Sequence, residues 1–204
     1  SVIKVFVDLY DKKLIYKAKK LVNWDVVLKT AISDLEVDQR EVNSQLYYIN
    51  YPIEGSDKFI TIATTRPETM LGDTAIAVNP KDDRFKDLVG KFVIIPLANR
   101  KIKIITDDYA DPEQGTGAVK ITPAHDFNDY DVGIRNKLEV INIFEKDGKI
   151  NKNGINEYIG LDRFEARKLL VKELKEKGNL VKIDTISNKV PYGDRSNSII
   201  EPLL

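Results

Sequence analysis

The chain of 204 residues contains no cysteine, one histidine, one tryptophan and one methionine. Without cysteine there is no disulfide framework, no thiolate metal site and no cysteine nucleophile, and a reducing compartment is permitted. The single imidazole, His125, excludes any site that needs two, HExxH zinc chemistry among them. Excess charge is also missing: 32 Lys and Arg balance 32 Asp and Glu. Bulk attraction to nucleic acid scales with the phosphates neutralised, so any such contact is expected to be local. No apolar run approaches the roughly 20 residues that span a bilayer, and Ser1-Val2-Ile3-Lys4 lacks the regions of a signal peptide. The chain therefore reads as a cytoplasmic protein with no membrane partner. Its length suits one large domain or one domain with short appendages, long enough to bury a core.

What is present divides by pattern. Val2, Val5, Phe6 and Leu9 have helical spacing, which Asp11-Lys12-Lys13 breaks. Leu14 to Trp24 alternates loosely and predicts an extended segment. Short β-rich runs follow at Leu46–Ile49, Phe59–Thr64, Thr74–Val78, Phe92–Leu97, Lys101–Thr106, Ala118–Thr122 and Val140–Phe144, separated by Gly-, Pro- and Asp-rich turns. The clearest is Lys101-Ile102-Lys103-Ile104, whose period of two puts the isoleucines on one face. Such strands predict a barrel or a sharply curved mixed sheet. One strong helix is expected over Leu161–Lys177, with Asp162 as cap, Glu165 completing a capping box and Gly178 closing the end. The expected class is α+β, a β-barrel-like core of short mixed strands with flanking helices.

Two segments carry chemistry. Ala63-Thr64-Thr65-Arg66-Pro67-Glu68-Thr69-Met70 packs three hydroxyls, a guanidinium and a carboxylate into the end of a strand. Read blandly, the threonines cap a helix that begins at Pro67. Gly115-Thr116-Gly117-Ala118-Val119-Lys120-Ile121-Thr122-Pro123-Ala124-His125-Asp126-Phe127-Asn128-Asp129-Tyr130 is not a dinucleotide fingerprint, because Lys120 stands where its third glycine belongs, and no Gly-Lys-Thr or Gly-Lys-Ser phosphate loop exists. The glycines more simply allow a tight turn into a strand. His125, Asp126 and Asp129 lie at an expected helix start, where carboxylates suit the dipole. No serine sits in a nucleophile-elbow setting, so a Ser-His-Asp triad at His125 is not expected.

Together these two segments resemble the signatures of the editing domain, connective peptide 1, inserted in class I valyl-, isoleucyl- and leucyl-tRNA synthetases; the first signature continues through Leu71-Gly72-Asp73-Thr74-Ala75. The flanks Leu21-Val22-Asn23-Trp24-Asp25, Thr30 to Val37 and Val190-Pro191-Tyr192-Gly193-Asp194-Arg195 are similar to those of valyl members. The likeness covers nearly the whole chain and departs at Val26, where the family commonly has proline, and at Asn79, where histidine is frequent. It implies a piece of a larger enzyme, with residues 1–44 and 187–204 as connecting arms and 45–186 as the editing core. The reaction implied is hydrolysis of threonine wrongly esterified to the 3′ end of the valine-specific tRNA, with threonyl-adenylate as a possible second substrate.

The resemblance also implies roles. Asp129 would hold the substrate's α-ammonium, and Thr64 and Thr65 would face the ester and orient a water. Arg66, Thr69, Lys120, Thr122, His125 and Asp126 would surround the threonyl group. No cofactor, metal or protein nucleophile is implied. The alternatives are an editing domain of the isoleucyl or leucyl type, a noncatalytic module that positions the tRNA end, and an unrelated hydrolase or binding barrel.

Overall fold

The computed structural model describes residues 1–204. Helix α1 spans Val2–Asp11 and ends at the Asp11-Lys12-Lys13 break, where Lys13 takes a φ of 58°. None of its residues is buried. The extended run expected over Leu14 to Trp24 contracts to strand β1, Val22–Asp25, because residues 14–21 meet no strand to pair with. Strand β2, Thr30–Ile32, pairs with β1 on one side, and β10, Glu201–Leu203, pairs with it on the other.

The longest element is β3, Val37–Pro52, antiparallel to β9, Leu180–Gly193, from Val37↔Gly193 to Ile49↔Leu180. Sequence pattern predicts only its last part, Leu46–Ile49. Asp38-Gln39-Arg40-Glu41 shows no apolar alternation because this stretch of ribbon is half-buried at most, and backbone pairing supplies its order. The expected boundaries at 44/45 and 186/187 lie opposite each other across the ribbon, at the pairs Ser44↔Ile186 and Asn43↔Ser187. Strand β4, Phe59–Thr64, pairs with the far end of β3 and completes an open sheet.

A third sheet runs β6-β7-β5-β8, with β5 at Ala75–Val78, β6 at Phe92–Ile94, β7 at Lys101–Thr106 and β8 at Ala118–Ile121. Strand β5 is parallel to β7, antiparallel to β8 and buried at every residue, as a sheet covered on both faces requires. In β7 the isoleucines 102 and 104 are buried and the lysines 101 and 103 exposed, as their alternation predicts.

None of the three sheets closes on itself. The α+β class holds, but the barrel-like core is corrected to open sheets packed around a shared interior. The runs counted as successive barrel staves belong to different sheets, and Val140–Phe144 is not a strand, making only an isolated bridge between Phe144 and Ile150. Helix α2, Phe127–Asn136, follows β8. Helix α3, Arg163–Glu176, is capped by the Asp162 carboxylate accepting from Phe164 N at 2.8 Å, and Gly178 beyond it takes a φ of 74°. The reciprocal Glu165 bond of a capping box is not made. Ala166, Leu170 and Leu174 of α3 close the interior against Ile49, Ile62, Met70 and Ile76. No helix is long and apolar enough to cross a membrane.

Candidate active site

The end of β4 delivers Thr64 and Thr65, after which Pro67–Gly72 forms a fully buried 3-10 turn rather than the α-helix expected from Pro67. Arg66 caps that turn without a side-chain bond. Its N–H donates to Thr64 Oγ1 at 3.0 Å, and its carbonyl accepts Thr69 Oγ1 at 2.9 Å. Strand β8 delivers Lys120 and Thr122 from the other side. Gly115 and Gly117 enter it at φ values of 58° and 81°, and Thr116 Oγ1 ties the turn to Thr61 O of β4 at 2.6 Å. Asp126 is the N-cap of α2, accepting from Asn128 N and Asp129 N at 2.8 and 3.1 Å.

Every site residue expected from the sequence borders one hollow of about 150 Å³: Thr64, Thr65, Arg66 and Thr69 from the first segment, Lys120, Thr122, His125, Asp126 and Asp129 from the second. A larger cavity of about 440 Å³ adjoins it, sharing Thr65, Arg66, His125 and Asp126, and is walled by the β3–β9 ribbon, α3 and β10.

The walls are held by buried polar contacts. Asp73 is fully buried, and Tyr51 Oη, Lys120 Nζ and Thr122 Oγ1 donate to its carboxylate at 2.7, 3.0 and 2.6 Å. Lys120 also donates to Thr122 Oγ1. Burial pushes the Asp73 carboxyl up, while the Lys120 ammonium and both hydroxyls pull it down. One Asp129 oxygen accepts from Thr122 N at 2.8 Å; the other accepts no hydrogen bond within the chain. Burial, reinforced by Asp126 and opposed by Lys120, pushes the Asp129 carboxyl up to about 7. His125 is buried and held well below the usual imidazole range by burial and by the nearby Arg66 and Lys120 cations, so the ring is neutral. Its Nε2 accepts from Ile143 N at 3.0 Å, which assigns the proton to Nδ1, a donor with no partner in the protein.

Arg66 lines the hollow with its guanidinium engaged by the protein. Its guanidinium donates to His125 O at 2.9 Å, to Glu201 Oε2 at 2.5 Å and to Glu68 Oε1 at 3.4 Å. Burial opposes its charge, but Glu201 and then Glu68 outweigh this and raise its already high pKa further. The sequence reading also omits Tyr109, which lines the hollow and whose phenol is pushed up to about 12 by burial and the Asp129 and Asp126 carboxylates. Asp73 stands within the continued threonine-rich signature, whereas Tyr109 and Glu201 stand outside both segments with no local signal.

The family model described as tRNA synthetases class I (I, L, M and V) matches residues 1–190. The chain belongs to this family. Among class I tRNA synthetases it is similar to the valine–tRNA ligase of Pelagibacter ubique (strain HTCC1062), 77% identical over the whole chain and 23% of that protein. The valine–tRNA ligases of Lactococcus lactis subsp. lactis (strain IL1403) and Thermotoga maritima are 56% and 53% identical over 204 residues, which cover 23% and 24% of those proteins. The chain thus spans about a quarter of the length of the synthetases it matches. Its fold is like that of a chain in the ternary complex of Agrobacterium radiobacter K84 agnB2 LeuRS-tRNA-LeuAMS, with a TM-score of 0.56 at 21% identity over 90% of this chain and 31% of that one.

Proposed function

We propose that the chain is the editing region of a cytoplasmic valine–tRNA ligase, in which the small hollow hydrolyses threonine esterified to the 3′ end of the valine-specific tRNA. The observation that carries this reading is that the hydroxyl-rich end of β4 and the acidic start of α2, from segments more than fifty positions apart, border one hollow of about 150 Å³. That volume is below the roughly 300 Å³ at which drug-sized ligand pockets begin, so it suits an aminoacyl group alone. The adenosine extends into the adjoining cavity of about 440 Å³, across the rim formed by Thr65, Arg66, His125 and Asp126. Threonyl-adenylate presents the same aminoacyl group and is a second candidate substrate.

Asp129 anchors the α-ammonium through its unengaged oxygen, a charge-assisted contact. Lys120 uses two of its three N–H groups on Asp73 and Thr122 and has one left for the substrate hydroxyl. Threonine and valine are nearly isosteric, so an apolar synthetic pocket cannot strongly reject the added hydroxyl; valyl enzymes are an established example of that limit. A second site that pairs the hydroxyl leaves polar groups unpaired when valine enters. At about 1 to 3 kcal/mol for each stranded group, two such groups give a preference of roughly 2 to 6 kcal/mol. In the reaction a water oxygen bonds to the acyl carbon, the ester C–O bond breaks, and the water's proton ends on the departing ribose oxygen. Thr65, whose hydroxyl is unengaged within the chain, stands where it orients that water. The division into arms 1–44 and 187–204 and a core 45–186 belongs to the same proposal, as does the rest of a synthetase as partner.

Calorimetric titration with a nonhydrolysable threonyl-adenosine analogue and its valyl counterpart tests the reading. Preferential binding of the threonyl analogue supports it; equal affinities, or no binding of either, refute it.

A further inference from the structure

We propose that Glu201, on β10 in the C-terminal arm, is a positioning residue of the hollow, which is fully formed only while β10 is docked. The inference rests on the reading of the hollow as an aminoacyl site. Glu201 is 4% exposed and lies opposite Trp24 in the sheet β10-β1-β2, outside the sheets that carry the two signature segments. Its carboxylate forms ion pairs with two arginines, the half-buried Arg66 through Nη2 at 2.5 Å and the buried Arg163 through Nε at 3.5 Å.

Arg66 is the point where the segments meet. Through its backbone it holds the Thr64 and Thr69 hydroxyls, and through its guanidinium it holds the His125 carbonyl at 2.9 Å. Thr64, Thr69 and His125 all border the hollow. Glu201 therefore reaches the hollow's walls from a position 135 residues away from Arg66, without lining that hollow itself.

Charge makes the contact directional. Arg163 is 3% exposed, its Nε and Nη1 make no hydrogen bond, and only its Nη2 is bonded, to Ile199 O at 2.6 Å. With Glu201 neutralised, Arg66 and Arg163 face each other with no carboxylate between them, and Glu68 is left as the counter-charge that Arg66 already shares with Arg167. Loss of the carboxylate strands the buried Arg163 charge and sets it against the half-buried Arg66 guanidinium, which is pushed from its place. The inference makes the connecting arm part of the site's geometry: movement of the β10 sheet against the core is felt at Thr64, Thr69 and His125.

The test compares the parent with Glu201→Gln, which keeps shape and loses charge, and Glu201→Asp, which keeps charge and shortens reach. Two readouts are taken below each variant's melting transition: affinity for the threonyl-adenosine analogue, and hydrogen exchange at the Arg66, Thr69 and His125 amides, each bonded in the parent. For Glu201→Gln we expect affinity to fall about tenfold, equivalent to about 1.4 kcal/mol, with faster exchange at those three amides. Glu201→Asp recovers part of both. Unchanged exchange at these amides in folded Glu201→Gln overturns the positioning role, even if its melting temperature falls. The exchange readout needs no ligand, so failure of the parent to bind the analogue refutes the editing reading and leaves the positioning role to be decided by exchange.

Discussion

The Lys120 ammonium lies 3.0 Å from the Asp73 carboxylate, both enclosed by protein, and Thr122 bonds to each of them. A buried pair of this kind contributes little relative to apolar residues of the same shape, yet breaking it is expensive because one charge is left stranded. Asp73→Asn should therefore lower stability by about 3 to 5 kcal/mol, and Asp73→Asn with Lys120→Met by clearly less than the sum of the single changes. Urea unfolding of the four proteins in the cycle measures this. Additive losses would mean that the pair is not coupled.

Asp129 gives a pH signature with a definite sign. Its folded-state carboxyl is up at about 7 against 3.8 without perturbation, so the folded chain holds this proton more tightly than the unfolded chain. Its contribution to stability is therefore intact below about pH 4, declines as pH rises, and is fully lost above about pH 7. Asp129→Asn, which still accepts from Thr122 N, should match the parent near pH 4 and exceed it by on the order of 4 kcal/mol at pH 8. A difference that does not change with pH contradicts the raised carboxyl.

Tyr109 should act as a wall of the hollow through its ring. Its loop is staked to α2: Asp107 accepts from Tyr109 N at 2.9 Å and from Arg135 Nε and Nη2 at 2.8 and 2.6 Å, contacts that hold the Asp107 carboxyl down at about 2. An aromatic face near an anchored ammonium contributes about 0.5 to 2 kcal/mol. Tyr109→Phe should keep the analogue's affinity within about twofold, and Tyr109→Ala should lose roughly three- to thirtyfold. Equal losses in both would assign the effect to the hydroxyl instead.

The parts legible in the sequence are those set by local pattern. The Ile102 and Ile104 alternation, the Asp162 cap and the turn at Gly115 and Gly117 all express rules that act within a few residues. The two signature segments were legible as a pair because each is long and ordered, and the hollow brings them together. Long-range pairing was not legible. The polar half of β3 is ordered by β9, some 150 positions away, and has no apolar period of its own. Short strands in succession suggest closure into a barrel, but which strands pair is set between distant segments and divides them among three open sheets. Nothing near Arg66 in the chain reveals that Glu201 and the His125 carbonyl engage its guanidinium.

The most direct measurement is single-turnover deacylation, with the protein in excess over valine-specific tRNA charged with threonine or with valine, and with Asp129→Ala run beside the parent. Excess protein offsets the weak attraction expected of a chain with no net charge. The account predicts release of threonine but not valine by the parent, and no release by folded Asp129→Ala. Equal release of both amino acids, no release of threonine at saturating protein, or an undiminished rate in Asp129→Ala would contradict it.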